Sequence, residues 1–239
     1  MKLMLKGKRI LVVDDEPDLR DILKDEFEFC GATVAIAENG KEALHLIKET
    51  TFDLILSDIR MPGGDGVTLA KEVKAMNHSK PVMMLITGFA DITSDRAYDL
   101  GIEGFFTKPF NLEVITRSAQ SAMLEPNERW SRPYAGTAPV KALPSGGEFE
   151  ELKRQKSLSL GRGGFFLKGE VPQIRVSDVV KFDFGPQLQG TGQVKWVRSE
   201  PDGDLAGLGV EILFLEPGSL SAFLAEMNMV NPEAYIPKS

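Results

Sequence analysis

Two periods divide the chain. From Arg9 to about Leu124, short apolar runs alternate with stretches whose apolar residues recur every three to four positions. The runs predict strands at Arg9–Val13, Thr33–Ala37, Asp53–Ser57, Pro81–Ile86 and Gly104–Thr107. The stretches between them predict helices. The first spans Asp18 to Cys30, with Leu19, Ile22, Leu23, Phe27 and Cys30 on one stripe and Gly31 as its stop. The second opens at Asn39-Gly40 and turns Ala43, Leu44 and Ile47 inward. The others run from Val67 to Met76, Ile92 to Leu100 and Leu112 to Leu124, and the fourth is the least apolar. Apolar strands alternating with helices imply an α/β unit, a doubly wound five-stranded parallel sheet with helices on both faces.

From Glu125 the punctuation changes. Pro126, Asn127, Pro133, Gly136, Pro139 and Pro144 break any helix, and most of the remainder reads as strand. Ala138–Leu143 and Glu148–Leu158 flank a PSGG turn and predict a hairpin. Gly164–Lys168 is a short apolar strand, and Val179–Phe184 alternates, with Val180, Phe182 and Phe184 on one face. Val194–Arg198 and Gly207–Leu213 complete the set. A last amphipathic helix, Ser219–Met229, turns Leu220, Phe223, Leu224 and Met227 inward. Strands followed by one helix suggest a small β-barrel. Two domains follow, residues 1–124 and 125–239, within the size that 239 residues allow.

Charge narrows the function. The net charge is −7, from 28 basic and 35 acidic residues; 15 basic and 20 acidic residues precede Glu125. Neither half is basic, which argues against a dedicated DNA-binding output. A single cysteine, Cys30, rules out an internal disulfide and fits a reducing compartment, and it reads as a small buried apolar residue. No apolar run has the length of a membrane span. The start, MKLMLKGKR, lacks the apolar core of a signal peptide, so a cytoplasmic location is expected.

The candidate chemistry lies at strand ends. Asp14-Asp15 closes the first apolar run, and Asp58 closes the third, before a loop carrying Pro62, Gly63, Gly64 and Gly66. The carboxyl ends of strands are where open α/β sheets place their sites. Carboxylates converging there repel one another unless a cation sits among them, and hard oxygen ligands suit Mg²⁺. With Thr87 after the fourth run and Lys108 before Pro109-Phe110, these residues resemble the receiver domain of two-component response regulators, over Lys8 to about Leu124.

That resemblance implies the flavodoxin-like strand order 2-1-3-4-5 and a role for each residue. Asp58 would take a phosphoryl group from a sensor histidine kinase or phosphotransfer protein. Asp14, Asp15, Asp58 and the backbone carbonyl of Arg60 would hold Mg²⁺. Lys108 and Thr87 would contact the phosphoryl oxygens. Thr87 and Phe105 would couple the site to the face built by the fourth helix, the fifth strand and the fifth helix. A downstream protein or a second copy of the chain would read that face. Phe105 stands where the family often has Tyr, keeping the ring and losing the hydroxyl. Gly88 stands where a small side chain is common, which opens the site. An enzyme such as a phosphatase needs a second acid two residues after the nucleophile; Arg60 is there instead, so no enzyme is expected.

The second half resembles a PilZ domain, the family that binds cyclic di-GMP. The resemblance rests on Arg129–Arg132, SLGRGGFFL (Ser159–Leu167), GQVKWVR (Gly192–Arg198) and LGVEIL (Leu208–Leu213). It implies that Arg129, Arg132, Ser159 and Gly164 face the nucleotide, guanidinium groups suiting both its phosphates and its bases. The motifs depart from the family. Glu128 stands where the first arginine would fall, Ser159 replaces Asp or Asn, and Gly161 replaces Ser. Weak or absent cyclic di-GMP binding is expected, with the PilZ-like domain acting mainly through protein interaction. The alternative is a cyclic di-GMP receptor gated by phosphorylation.

Overall fold

A computed structural model describes residues 5–88, 92–144, 147–169, 171, 173–199 and 206–239. The chain forms two compact units. One is Met1–Thr93 with Leu100–Leu124; the other is Ser94–Asp99 with Glu125–Ser239.

The first unit is built on five parallel strands. In chain order these are β1 (Arg9–Val13), α1 (Pro17–Phe29), β2 (Thr33–Ala37), α2 (Gly40–Glu49), β3 (Leu54–Asp58), α3 (Gly66–Met76) and β4 (Val82–Thr87). After the short helix α4 (Ser94–Asp99) come β5 (Gly104–Thr107) and α5 (Leu112–Ala122). The order is β2-β1-β3-β4-β5, as the resemblance implied. In register, Val13 pairs with Ser57 and Asp58 with Ile86, so the carboxyl ends of β1, β3 and β4 lie side by side. Every residue of β3 and β4 is buried, which is why both are apolar without alternation. Leu23, Phe27 and Cys30 bury the inner stripe of α1, while Ile22, expected on that stripe, is 50% exposed. Burial, then the Glu26 carboxylate, pushes the Cys30 thiol up, in keeping with an inert small residue.

Three helix starts are fixed locally. The side chains of Asn39, Asp65 and Asn111 accept from the backbone N–H groups of Glu42, Thr68 and Glu113 at 3.0, 2.9 and 2.8 Å. Gly66 starts α3 against the end of β3. A Cβ there would lie 2.1 Å from the Asp58 carbonyl oxygen, so only glycine lets the loop after Asp58 close this tightly. One feature escaped sequence reasoning. Lys74 and Glu103 are buried together, the Lys74 ammonium donating to both Glu103 oxygens at 2.7 and 2.8 Å. It also donates to the carbonyls of His78 and Pro81, and Glu103 accepts from the Met83 N–H.

The second unit continues with α6 (Pro126–Arg129), β6 (Val140–Ala142), α7 (Phe149–Arg154), β7 (Leu158–Leu160) and β8 (Gly164–Lys168). Then follow β9 (Val179–Asp183), β10 (Gln189–Arg198), β11 (Gly207–Leu215) and α8 (Pro217–Val230). The sheet order is β6-β9-β10-β11-β8-β7, with β6–β9 parallel and the other pairs antiparallel. Phe165, Phe182 and Phe184 pack with Trp130, Val194 and Val210 in its core. Phe223 of α8 meets Trp130 edge-on at 5.2 Å.

Two expectations fail here. The stretch Glu148–Leu158 is not a hairpin strand: α7 fills most of it, and β6 pairs with β9 instead. Phe149 and Leu152, three apart, bury one helical face, while Glu150 and Glu151 at the start and Lys153 and Arg154 at the end suit the helix dipole. Ser145 and Gly146 of the expected turn lie outside the described residues. Pro126 does not break a helix but opens one, sitting in the first turn of α6 where a missing N–H costs nothing. Strands β10 and β11 also run longer than their apolar cores suggested.

Candidate functional site

The site lies at the carboxyl edge of the first unit's sheet. Asp58 ends β3 with its carboxylate almost fully buried. One oxygen, Oδ2, accepts from the Arg60 N–H at 2.6 Å; the other lies 2.8 Å from the Lys108 ammonium. The same ammonium lies 2.9 Å from Glu16 Oε1 and 3.5 Å from Asp14 Oδ2. Lys108 is held there from its backbone, its N–H donating to the Thr87 carbonyl at 2.7 Å across the ends of β4 and β5. Thr87 is itself buried at the end of β4. One lysine thus faces three carboxylates.

The electrostatics follow from that imbalance. Burial pushes the Asp14 carboxyl above its ordinary value; the Glu16 N–H and Lys108 pull it down, and Asp58 adds to the rise. Burial also works against the charged form of Lys108, but Asp58, Glu16 and Asp14 outweigh it and hold the ammonium well above its ordinary value. Beside them opens a cleft of about 710 Å³ lined by Asp15, Ile59, Arg60, Met61, Pro62, Asp65 and Val67.

The structure therefore brings together Asp14, Asp58 and Lys108, with Thr87 bonded to Lys108 through its carbonyl. Asp15 is exposed at the cleft, and Arg60 lies in the loop after Asp58. Among the described residues no three acidic or imidazole groups are gathered closely enough to hold a metal, so Asp14, Asp15 and Asp58 do not form a ready-made cage. Phe105 is half-buried on β5, paired with Leu85; its neighbour Phe106 packs into the core. Sequence reasoning missed Glu16, which follows the acidic pair and reaches Lys108 from the entry to α1.

The family model described as the response regulator receiver domain matches residues 10–120. Residues 10–120 are a receiver domain. Over 116 residues this receiver is 37% identical to the regulatory protein AtoC of Escherichia coli (strain K12), covering 48% of this chain and 25% of that protein. The transcriptional regulatory protein ZraR of Salmonella typhimurium is 32% identical over 152 residues, covering 62% of this chain and 34% of that protein. The chain thus spans a quarter to a third of the length of these relatives. Among solved structures, the response regulator TrrA of Thermotoga maritima, in complex with Mg²⁺-BeF, is 34% identical with a TM-score of 0.45. It covers 48% of this chain and 98% of that one.

The second unit's candidate residues are spread differently. Arg129 lies on α6, its guanidinium 3.4 Å from the Tyr235 hydroxyl; Arg132 is exposed. Ser159 sits on β7 opposite Phe166, and Gly164 begins β8, where a Cβ would lie 2.0 Å from the Val210 carbonyl oxygen. The loop between them is covered: Arg162 and Gly163 donate to the carbonyls of Ala234 and Tyr235 at 2.9 Å.

Proposed function

We propose that this chain is a two-component response regulator whose Asp58 accepts a phosphoryl group from a histidine kinase or phosphotransfer protein. The observation that carries it is the Asp58 carboxylate, buried at a strand end and bracketed by the Lys108 ammonium and the Arg60 N–H. In the transfer an Asp58 oxygen bonds to phosphorus as the phosphorus–nitrogen bond of the phosphohistidine breaks, and the nitrogen keeps the bonding electrons. Lys108, 2.8 Å from one Asp58 oxygen, is placed to contact the phosphoryl oxygens as charge moves onto them. Thr87 adds a hydroxyl donor beside them.

Mg²⁺ fits the donor set. All the acidic groups are hard oxygen ligands, and the burial that raises Asp14 marks a carboxylate that one ammonium does not satisfy. Asp14, Asp15, Asp58 and the Arg60 carbonyl would hold the ion, with Lys108 giving ground. Bound there, Mg²⁺ neutralises charge on the transferring group. The chain turns over no outside substrate in this reading and works in the cytoplasm. Among the described residues no helix is long and apolar enough to cross a membrane.

For the second unit we infer a PilZ-like domain that signals mainly by protein contact, without dedicated DNA binding. The carbonyls of Ala234 and Tyr235 already accept from the N–H groups of its glycine loop, and Glu128 beside Arg129 disfavours phosphates. Gated binding of cyclic di-GMP is the competing reading, and titration of the full chain with the nucleotide separates the two.

The decisive experiment is phosphorylation by a small phosphodonor with and without Mg²⁺. Wild type is expected to gain one phosphoryl group only with Mg²⁺, and Asp58→Asn none. Equal labelling of the variant sinks the assignment.

A further inference from the structure

Glu16 stands at the entry to α1, where a side chain often turns back to cap the helix, but its side chain makes no such bond. The carboxylate reaches away instead, to the Lys108 ammonium at 2.9 Å. Its backbone is fixed: the Glu16 N–H donates to Asp14 Oδ1 at 2.8 Å, and the Arg20 guanidinium donates to the Asp14 carbonyl. Glu16 therefore holds both members of the Asp14–Lys108 pair, one by its main chain and the other by its side chain. That pair is the longest of the lysine's three contacts, 3.5 Å against 2.8 Å for Asp58.

The three carboxylates around Lys108 are not alike. Asp14 and Asp58 expose 1% and 6% of their side chains, while Glu16 exposes 64%. Water satisfies an exposed carboxylate, whereas a buried one needs a cation or donors beside it. Yet the ammonium sits closer to the solvated Glu16 than to the buried Asp14. The two buried carboxylates are also those the Mg²⁺ reading needs, and Glu16 is outside that donor set. An ammonium and a divalent ion crowded onto Asp14 would repel strongly where water is thin. Lys108 has to be held aside for Asp14 to serve the ion, and Glu16 is the carboxylate placed to hold it.

We propose that Glu16 is a positioning residue for Mg²⁺ binding: by taking the Lys108 ammonium it draws that charge off Asp14 and leaves the carboxylate open to the ion. This role rests on the reading of Asp58 and its Mg²⁺ site given above, and it belongs to a residue that touches neither the ion nor the phosphoryl group. Lys108 keeps one of its three donors on Glu16 and has two left for Asp58 or for phosphoryl oxygens. Because Glu16 acts through Lys108, substitutions at the two positions are coupled.

The test is a calorimetric Mg²⁺ titration of the full chain at physiological ionic strength, in wild type, Glu16→Gln, Lys108→Ala and the double variant. Glu16→Gln alters an exposed side chain that caps nothing, so the fold is expected to stand. The substitution is expected to weaken Mg²⁺ binding about tenfold, the lower end for residues that orient a metal site from outside its ligands. In the Lys108→Ala background the same change is expected to cost about twofold or less, the screened pull of an exposed charge. Labelling by a small phosphodonor splits the same way: Glu16→Gln raises the Mg²⁺ concentration needed for half the maximal rate and retains the rate at saturation. Wild-type Mg²⁺ affinity in Glu16→Gln overturns the role, and so does equal weakening in both backgrounds, the mark of a bare charge. A chain that shows the coupling but takes no phosphoryl group overturns the Asp58 reading and supports the role of Glu16. A wild type that binds no Mg²⁺ overturns the metal site and this role together.

Discussion

The receiver sets two lysines among carboxylates, Lys74 buried and Lys108 half-buried, and the two clusters are opposites. Lys74 faces one carboxylate, and its ammonium bonds both Glu103 oxygens and two carbonyls, while Glu103 takes the Met83 N–H as well. Donors and acceptors there match. Lys108 faces Asp14, Glu16 and Asp58 at once, beside a cleft that reaches solvent. Negative charge is left over. The first cluster can only hold the fold together, whereas the second has room for a further cation and a reason to take one. Buried charge by itself says little about function; its surplus says more.

That contrast can be broken first at Lys74. Lys74→Met leaves Glu103 charged, buried and without its ammonium, and is expected to cost about 3–5 kcal/mol in denaturant unfolding. Adding Glu103→Leu should recover part of the loss, not all, because the Met83 N–H and two carbonyls still lose partners. A double-mutant cycle with no coupling would show that the pair is not a unit.

At Lys108 the expectation reverses. Lys108→Ala should leave the fold standing and lower the rate of phosphoryl transfer on the order of a hundredfold, the usual effect of removing one well-placed donor to developing charge. Unfolding and labelling measured on the same preparation separate the two outcomes. If Lys108→Ala instead unfolds the receiver as Lys74→Met does, the distinction between the clusters is lost.

A smaller effect sharpens the comparison at the same edge of the sheet. Asp65 is solvated and matched: burial alone would raise its carboxyl, but the Thr68 hydroxyl and the Thr68 and Val67 N–H groups outweigh it and hold it below 3.8. Asp65→Ala should cost about 1 kcal/mol as a lost helix cap. Because the folded value is the lower one, this stabilisation is present above pH 3.8 and fades as pH falls through the folded value. The stabilities of wild type and variant should therefore converge in acid; parallel pH profiles would refute the cap.

The sequence announced some of this and hid the rest. Asp14, Asp58, Thr87 and Lys108 were legible because each interrupts or closes an apolar run, and a buried parallel strand leaves no other place for a polar residue. Lys74 and Glu103 were not, since a polar residue on a helix and one in a loop 29 positions later carry no local sign of meeting. Glu16 carried no sign either, standing between the acidic pair and the first helix. In the second half, α7 was masked because four charged residues in a row of six weaken its apolar stripe. Residues 231–239 were invisible for another reason: NPEAYIPKS, with two prolines, has neither period, and Tyr235 is buried by the glycine loop on one side and the Tyr98 ring on the other.

The insertion of Ser94–Asp99 into the second unit has a practical side. The two units are interleaved along the chain, so no single cut separates them. A fragment ending at Leu124 carries away a helix whose packing partners stay behind, and the complementary fragment from Glu125 leaves the Tyr98 side of Tyr235 bare. Each half studied alone would be a different molecule from the half inside the chain, and disagreement between fragment and full-length measurements is itself a reading of how much α4 contributes to both.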